Sequence, residues 1–248
     1  MGTGTSQGVP VIGCNCEGCR STDPKDKRLR ASILVEEGPV ALVVDTGPDF
    51  RQQMLTAEVT HLDAVLFTHE HRDHIAGLDD IRAFNFVQQR AMDIYAEERV
   101  FRALKYAFPY IFAEKKYPGV PQVNLHTIGH QPFSIPPLTI VPIRMMHYRL
   151  PVLGFRFGDF AYLTDGNYIS PEEMEKLIGV KYLVINALRK EKHISHFTVS
   201  EAEEIIRQLS PRKAYLTHIS HQMGLHKNLL AELPEHIEPA YDGLVLEV

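Results

Sequence analysis

The sequence predicts an α/β sandwich, in which two β-sheets pack face to face and helices cover their outer faces. Short strand-like runs dominate both halves of the chain, and helix-like segments follow the strands in each half. The chain has 248 residues, a length that suits one large domain better than two. We therefore expect residues 1–248 to form a single domain.

Strand predictions rest on short apolar runs bounded by turn residues. Ser32–Glu36 and Val40–Asp45 flank the turn Glu37-Gly38-Pro39 and predict a hairpin. Ala64–Thr68 predicts a buried strand that ends just before a histidine-rich segment. The remaining strand predictions are Leu138–Ile143, Leu153–Phe157, Phe160–Thr164, Tyr182–Asn186, Ala214–Thr217 and Leu244–Val248.

Helix predictions rest on apolar spacing and capping residues. Asp49–Ala57 and Ile75–Gln89 carry helical spacing, and Ser170 is a suitable N-cap for the stretch Glu172–Ile178. Thr198–Leu209 opens with a Thr-x-x-Glu capping box. Residues 84–135 are rich in aromatics and proline, so we expect an inserted segment that covers a site or contacts a partner.

Composition narrows the classes of partner. The net charge is −5, which argues against a protein that grips long nucleic acid with a basic face. No run approaches the about 20 apolar residues that span a bilayer, and no basic segment precedes an apolar one at the N-terminus. We expect a cytoplasmic location and no membrane partner.

One short segment carries the strongest functional signal. Thr68–His74 follows a predicted strand, precedes a predicted helix and reads H-x-H-x-D-H from His69. Imidazole and carboxylate are the ligands that zinc, manganese and iron take in hydrolytic sites. Ligand-type residues also stand just after later strands, where one sheet edge would collect them. The candidate ligands are His69, His71, Asp73, His74, His147, Asp165 and His218.

A second metal site is indicated by the three cysteines, Cys14, Cys16 and Cys19, which lie within six positions. A cluster of this kind in a cytoplasmic protein is more often a metal site than a disulfide framework. Structural zinc has four ligands, and His221 is the best candidate for the fourth because its loop follows the ligand His218.

The order of these motifs resembles that of the metallo-β-lactamase superfamily, whose members are αββα sandwiches with metals at the sheet edge. The resemblance implies that His69, His71 and His147 hold one metal. It implies that Asp73, His74 and His218 hold a second metal, and that Asp165 bridges the two. Asp45, at the end of the second strand, resembles the aspartate that orients the ligand loop.

The N-terminal segment Gly2–Pro10, followed by the C-x-C-x-x-C cluster, resembles the PhnP-type cyclic phosphodiesterases. In that group three cysteines and one histidine hold a structural zinc, and the chains form homodimers. A related pyrroloquinoline-quinone biosynthesis protein carries a similar cluster. Both groups have an apolar strand before the Gly-Thr-Gly segment, so we expect the first strand here to be missing or truncated.

Together these features predict a binuclear metal-dependent hydrolase for small phosphodiesters, with cyclic ribose phosphates among the candidates. Two divalent ions, zinc or manganese, would make hydroxide available between them near neutral pH, and one further zinc would be structural. We choose His196 as the general acid for the leaving alkoxide, with His193 as its local rival. Asp73 joins His196 in the predicted catalytic set as well as serving as a metal ligand.

Three other functions compete with this prediction. An endonuclease that trims transfer-RNA 3′ ends shares the metal core, but the acidic net charge and the cysteine cluster count against it. Thioester or lactone hydrolysis is the second alternative, and His196 discriminates against a thioester because a thiolate leaving group needs little protonation. A non-catalytic biosynthetic accessory protein would not need the complete ligand set together with His196.

Overall fold

A computed structural model describes residues 1–248. The N-terminal half of the chain forms the first β-sheet. Its five strands pair in chain order, β1 with β2 antiparallel and the others parallel. They are β1 (Ile33–Glu37), β2 (Val40–Val44), β3 (Ala64–Leu66), β4 (Met92–Ala96) and β5 (Val123–Thr127).

The second β-sheet is built by the C-terminal half. Its strands are β6 (Phe133–Ile135), β7 (Leu138–His147), β8 (Leu150–Phe157), β9 (Phe160–Leu163), β10 (Tyr168–Ile169), β11 (Tyr182–Asn186), β12 (Lys213–Thr217) and β13 (Ile237–Pro239). They lie in the order β10-β7-β8-β9-β11-β12-β13, and β6 pairs with β7. Strands β9, β11, β12 and β13 are parallel, whereas β8 is antiparallel to both of its neighbours.

Nine helices accompany the sheets. They are α1 (Glu17–Arg20), α2 (Phe50–Thr56), α3 (Arg72–Ile75), α4 (Arg82–Gln88), α5 (Glu98–Ala107), α6 (Pro109–Phe112), α7 (Pro171–Glu175), α8 (Val199–Leu209) and α9 (His226–Glu232). Short 3₁₀ turns occupy Pro24–Asp26, Leu78–Ile81 and His221–Met223. None of the helices has the length and apolar character needed to cross a bilayer.

Side-chain alternation along the strands divides the core into layers. In β2, Leu42 and Val44 face the apolar layer between the sheets, whereas Val43 faces the layer under the helices of the first sheet. In the second sheet, Tyr162 of β9 faces the layer between the sheets and Leu163 faces its helices. Three buried layers between four layers of structure confirm the predicted αββα sandwich.

Two predicted elements differ from the structure. Leu244–Val248 forms no strand; its alternation reflects packing, since Leu244 and Leu246 contact the layer between the sheets while Val245 is exposed. The predicted helix Ile75–Gln89 is broken near Gly77, whose backbone N–H donates to Thr46 O at 2.8 Å. A β-carbon on Gly77 would collide with Gly47 O, so the break lets two loops meet beside the site.

The segment 84–135, expected as an insertion, is largely built into the first half of the fold. It supplies β4 and β5 to the first sheet, and Phe101 and Leu104 of α5 are buried in the core beneath the helices. Some of its aromatic side chains are exposed, among them Tyr106 and Tyr117. The predicted contact with a partner stays a prediction.

The capping box of α8 is confirmed, since Thr198 and Glu201 each bond to the other's backbone N–H. The N-terminal residues make isolated bridges in place of a regular strand: Gly2 pairs with Ser32, and Gly4 with both Arg30 and Ile219. Those bridges tie the segment to both halves of the sandwich.

Candidate metal centre

The candidate ligands converge because strands from both sheets end at the same edge of the sandwich. Asp45 follows β2, and the segment that begins at Thr68 follows β3, its parallel neighbour. In the second sheet, His147 ends β7, Asp165 follows β9 and His218 follows β12. Carboxyl ends of parallel strands meet at one edge, and loops at such an edge are where α/β folds place their sites.

Three of these residues adopt a left-handed backbone at the strand end. The φ angles are 67° for Asp45, 59° for Asp165 and 57° for His218. Few residues other than glycine take this conformation, although aspartate and histidine tolerate it better than most. All three side chains are buried at the ends of their strands. Strain of this kind is concentrated at functional sites.

The first cluster contains His69, His71 and His147, whose ring nitrogens lie within 4.8 Å of one another. His69 Nε2 is 2.9 Å from His71 Nδ1, so both nitrogens point at one place. The Nδ1 atom of His69 lies 2.9 Å from the Thr68 hydroxyl, which leaves Nε2 for the cluster. His71 is exposed at the mouth and His147 is partly buried.

The second cluster contains Asp73, His74, Asp165 and His218, again with ligand atoms within 4.8 Å. His74 Nε2 is 3.2 Å from Asp73 Oδ2 and 3.2 Å from Asp165 Oδ2. His218 Nε2 is 3.1 Å from Asp165 Oδ1. The two oxygens of Asp165 therefore face different histidines.

Neighbouring groups fix the orientation of two further ligand rings. Asp45 Oδ2 lies 2.7 Å from His74 Nδ1, and the same carboxylate accepts the N–H and hydroxyl of Thr68 at 2.8 Å. His147 Nδ1 donates to Ser195 O at 2.8 Å. In each case the opposite nitrogen, Nε2, is the one left facing the cluster, as in proteins whose histidines bind metals.

The donor set fits a pair of divalent cations. His74 Nε2 and His218 Nε2 are buried and have no hydrogen-bond partner, a costly arrangement that a bound ion would relieve. Burial disfavours protonation of His218, yet the carboxylates of Asp165 and Asp73 raise its pKa to about 9. Burial likewise opposes ionisation of Asp165, but facing His218 and His74 hold its pKa well below the usual range. A bound cation would therefore stabilise the cluster, and its imidazole and carboxylate ligands suit zinc or manganese.

His196 lies beside the metal clusters, whereas its rival His193 is farther out. His196 is buried, its Nδ1 atom is 3.9 Å from Asp165 Oδ1, and its ring stacks 4.7 Å from that of His218. Burial, followed by the charge of His218, lowers its pKa to about 2. His193 is half-buried with its ring 5.2 Å from that of His196, and it belongs to neither cluster.

The cysteines and His221 form a separate cluster. Cys14 Sγ and Cys16 Sγ lie 3.2 Å and 3.4 Å from His221 Nδ1. Ligand atoms of a tetrahedral zinc site with sulfur and nitrogen are about 3.5 Å apart. A hydrogen bond from the backbone of Cys19 lowers the pKa of the Cys16 thiol to about 6, which favours the thiolate that zinc requires. These four side chains fit one zinc ion.

Sequence reasoning missed several residues that support the site. Arg99, at the start of α5, donates to Glu70 between the ligands His69 and His71, and also to Pro151 O on β8. Asn186, at the end of β11, bonds to both the N–H and the C=O of Gly166, next to Asp165. Neither position belongs to a motif. Thr68 could have been noticed, because it directly precedes His69.

Comparison with known proteins places the chain in a family. Residues 41–219 match the Beta-lactamase superfamily domain, a span that contains both clusters of candidate active-site ligands. A crystal structure of a diphosphatase from the PhnP family superposes with a TM-score of 0.93 and 39% identity, covering 100% of this chain and 95% of that one. The chain belongs to the metallo-β-lactamase superfamily, and within it to the PhnP family. This membership, with the His/Asp clusters, supports a metal-dependent hydrolase.

Three other proteins are similar to this chain. An octanoyltransferase of Porphyromonas gingivalis is 43% identical over 98% of this chain, but the match spans only 50% of that protein. The coenzyme PQQ synthesis protein B of Cupriavidus necator is 31% identical over 56% of this chain and 48% of its own length. The chain therefore spans about half the length of these curated relatives. The Zn²⁺-bound PqqB of Methylobacterium extorquens, at 19% identity and a TM-score of 0.78, shares the fold.

Proposed function

We propose that the chain is a binuclear metal-dependent phosphodiesterase that cleaves small diesters, with cyclic ribose phosphates among its candidate substrates. The observation that carries the proposal is the position of His196, a buried imidazole 3.9 Å from the carboxylate shared by the second metal cluster. A phosphodiester with an alkoxide leaving group needs a proton donor beside the metals. The 39% identical relative of similar length is named as a diphosphatase, which supports phosphoryl chemistry.

The ligand sets divide the work of holding the ions. His69, His71 and His147 would hold one ion, and Asp73, His74 and His218 the other, with the buried Asp165 between them. When bound, the two ions supply a hydroxide near neutral pH and polarise the phosphoryl oxygens.

His196 would act on the leaving oxygen. Its Nδ1 atom faces Asp165, which leaves Nε2 as the nitrogen that can face the substrate. Because burial keeps the pKa low, the free ring is neutral at pH 7 and carries one N–H. Negative charge on an adjacent phosphoryl group raises the affinity of the ring for a proton, so the ring would take up a second proton from solvent when the diester binds. It would give that proton to the leaving oxygen as the oxygen gains charge, and would return to its neutral form.

Leaving-group dependence tests this role. We expect His196→Ala to lower kcat by about 10²–10⁴-fold on a 2′,3′-cyclic nucleotide, whose leaving group is an alkoxide, and by much less on bis(p-nitrophenyl) phosphate, whose leaving group departs without a proton. His193→Ala is the matched control and should change both rates little. An equal loss of kcat on the two substrates would contradict the general-acid role. No turnover of any diester by the metal-loaded protein would contradict the proposed function.

An octanoyl thioester hydrolase or transferase is the second candidate, because of the name of the relative from P. gingivalis. That name belongs to a protein twice as long, so the acyl chemistry can reside in its other half. All three cysteines of this chain lie in the Cys14–Cys19 cluster, so the candidate active site contains no thiol nucleophile. Turnover of an octanoyl thioester at a rate that exceeds diester hydrolysis would favour this candidate.

A structural zinc at the cysteine cluster is part of the proposal. Cys14, Cys16, Cys19 and His221 join the N-terminal segment to the loop after β12, and their spacing suits a closed tetrahedral site. Zinc or manganese would occupy the catalytic clusters. The homodimer and the cytoplasmic location also remain predictions.

A further inference from the structure

The hairpin between β7 and β8 places two unusual residues beside the first metal cluster. Tyr148 and Arg149 form the two-residue loop, since His147 pairs with Leu150. Tyr148 has a φ of 59°, the left-handed conformation that two-residue loops normally give to asparagine or glycine. A bulky aromatic residue there is an outlier, and such strain persists where the side chain has a function.

Both side chains are available to a ligand. Tyr148 is 49% exposed and its hydroxyl makes no hydrogen bond within the protein. The Arg149 guanidinium lies over the Tyr148 ring, 5.2 Å from its centroid, and forms no ion pair. An aromatic face with an unpaired cation next to it suits a planar ring that carries an anionic group.

Asn167 fixes the hairpin tip relative to the loop that contains Ile194. The Asn167 side chain accepts from Tyr148 N at 2.8 Å and donates to Ile194 O at 3.1 Å. It thus braces the hairpin tip against the loop that carries His196. Ile194 is 64% exposed. A braced wall holds a ligand at low entropic cost.

Hairpin and loop line an open cavity next to the metal ligands. Its volume is about 340 Å³, and its lining includes His71 and His147 on one side and Tyr148, Arg149 and Ile194 on the other. This volume is at the lower end of small-molecule sites. Because His147 and His196 have ring centroids 4.5 Å apart, the cavity lies on the side of the proposed proton donor, where a leaving group departs.

We propose that this cavity is a leaving-group subsite for a nucleotide, whose base lies on Tyr148 and Ile194 and whose further phosphate pairs with Arg149. The inference rests on the proposed function, since it assigns the part of the diester that leaves. It makes nucleotide-containing diesters better substrates than diesters with small alkyl groups. It also identifies adenosine 5′-diphosphate as a ligand that binds without turnover of a diester bond.

Calorimetric titration of the manganese-loaded protein tests the subsite apart from catalysis. We expect ADP to bind more tightly than AMP, and both more tightly than ribose 5-phosphate. Tyr148→Gly should weaken ADP binding by about 10-fold or more, the usual effect of losing a base-stacking ring, while Tyr148→Phe keeps it. Arg149→Gln should remove the preference for ADP over AMP.

Stability measurements separate lost binding from damaged structure. Tyr148→Gly relieves the left-handed strain, so its unfolding temperature should equal or exceed that of the wild type while ADP binding falls. Tyr106→Gly and Arg212→Gln, at exposed positions elsewhere, are controls for affinity.

The outcomes distinguish the two proposals. If the wild type hydrolyses small diesters but ADP binds equally to Tyr148→Gly, the subsite is wrong and the phosphodiesterase stands. If no diester is hydrolysed while ADP binding depends on Tyr148 and Arg149, the catalytic proposal is wrong and the nucleotide site stands without a leaving-group role. Ribose 5-phosphate that binds as tightly as ADP would overturn the assignment of a base.

Discussion

The carboxylate of Asp45 lies 2.7 Å from Nδ1 of His74, with both side chains buried at the edge where the two sheets meet. The contact joins the end of β2 to the histidine loop after β3. Burial raises the pKa of Asp45, while the facing His74 and the two hydrogen bonds from Thr68 act in the opposite direction. A buried carboxylate with this set of donors holds the ring of His74 in one orientation.

We expect Asp45→Asn to weaken metal binding by about 10–100-fold, because an amide cannot orient His74 in the same way or strengthen its basicity. Chelator competition with zinc measures the change. Asp159→Asn, at an exposed position paired with Lys181, serves as the control. Unchanged metal affinity in Asp45→Asn would show that the contact has no part in ligand orientation.

Arg99 provides a second, more peripheral support. It joins Glu70, which stands between two ligands, to Pro151 O on the strand next to His147. We expect Arg99→Ala to weaken the first metal site by about 10-fold, because both of these contacts adjoin ligands of that site. The second site should be affected less.

Metal titration followed by elemental analysis checks this prediction. Arg102→Ala, at an exposed position of α5, should bind both ions as the wild type does. Arg99→Lys should restore little of the lost metal affinity, because a single ammonium group cannot donate to Glu70 and to Pro151 O in the way that a guanidinium does. An equal loss at both sites would indicate general loosening of the fold.

Removal of one cysteine should affect the structural site alone. We expect Cys16→Ala to lose one zinc per chain and to lower the unfolding temperature by about 10 °C, since loss of a metal site costs about 4 kcal/mol and each kcal/mol shifts a chain of this size by about 2–4 °C. The catalytic ions should remain. Asn15→Ala, exposed between the same cysteines, is the control. Full zinc content in Cys16→Ala would contradict the assignment.

Acid sensitivity should come in part from His226. This histidine is buried with its Nδ1 atom 3.4 Å from the Arg28 guanidinium; burial and then Arg28 lower its pKa. The unfolded chain binds a proton at the ordinary pKa of about 6.5 and the folded chain does not. Stability from this group is therefore complete above about pH 6.5 and is lost as pH falls toward the lower folded pKa.

Urea unfolding at about pH 7.5 and pH 5.5 measures this effect. His226→Gln should lose less stability between the two pH values than the wild type does, because glutamine does not titrate. His236→Gln, at an exposed position, should retain the wild-type difference. The same pH dependence in all three proteins would assign the acid sensitivity to other groups.

Much of the architecture followed from local pattern. The apolar run Val40–Asp45 and the capping box at Thr198 are each encoded within a few residues, and the structure has a strand over Val40–Val44 and the capping box on α8. The apolar pattern gave a wrong strand at Leu244–Val248, where alternate side chains pack on the core although the backbone pairs with no strand. The segment 84–135 was predicted as an insertion, although Met92, Ile94 and Ala96 alternate along β4 with less buried residues, which is the period of a strand.

The candidate ligands could be identified from the sequence because metal ions accept few residue types as ligands. The ligands around His69 and the three cysteines are also close together in the chain, so each group forms a recognisable motif. The sequence could not show which residues contact and orient these ligands. Arg99 donates to Glu70, Ser195 O accepts from His147, and Tyr148 lines the cavity beside the first metal cluster. These relations join residues far apart in the chain. Any arginine can form an ion pair and any carbonyl can accept a hydrogen bond, so only packing of the two sheets decides which of them meet the ligands.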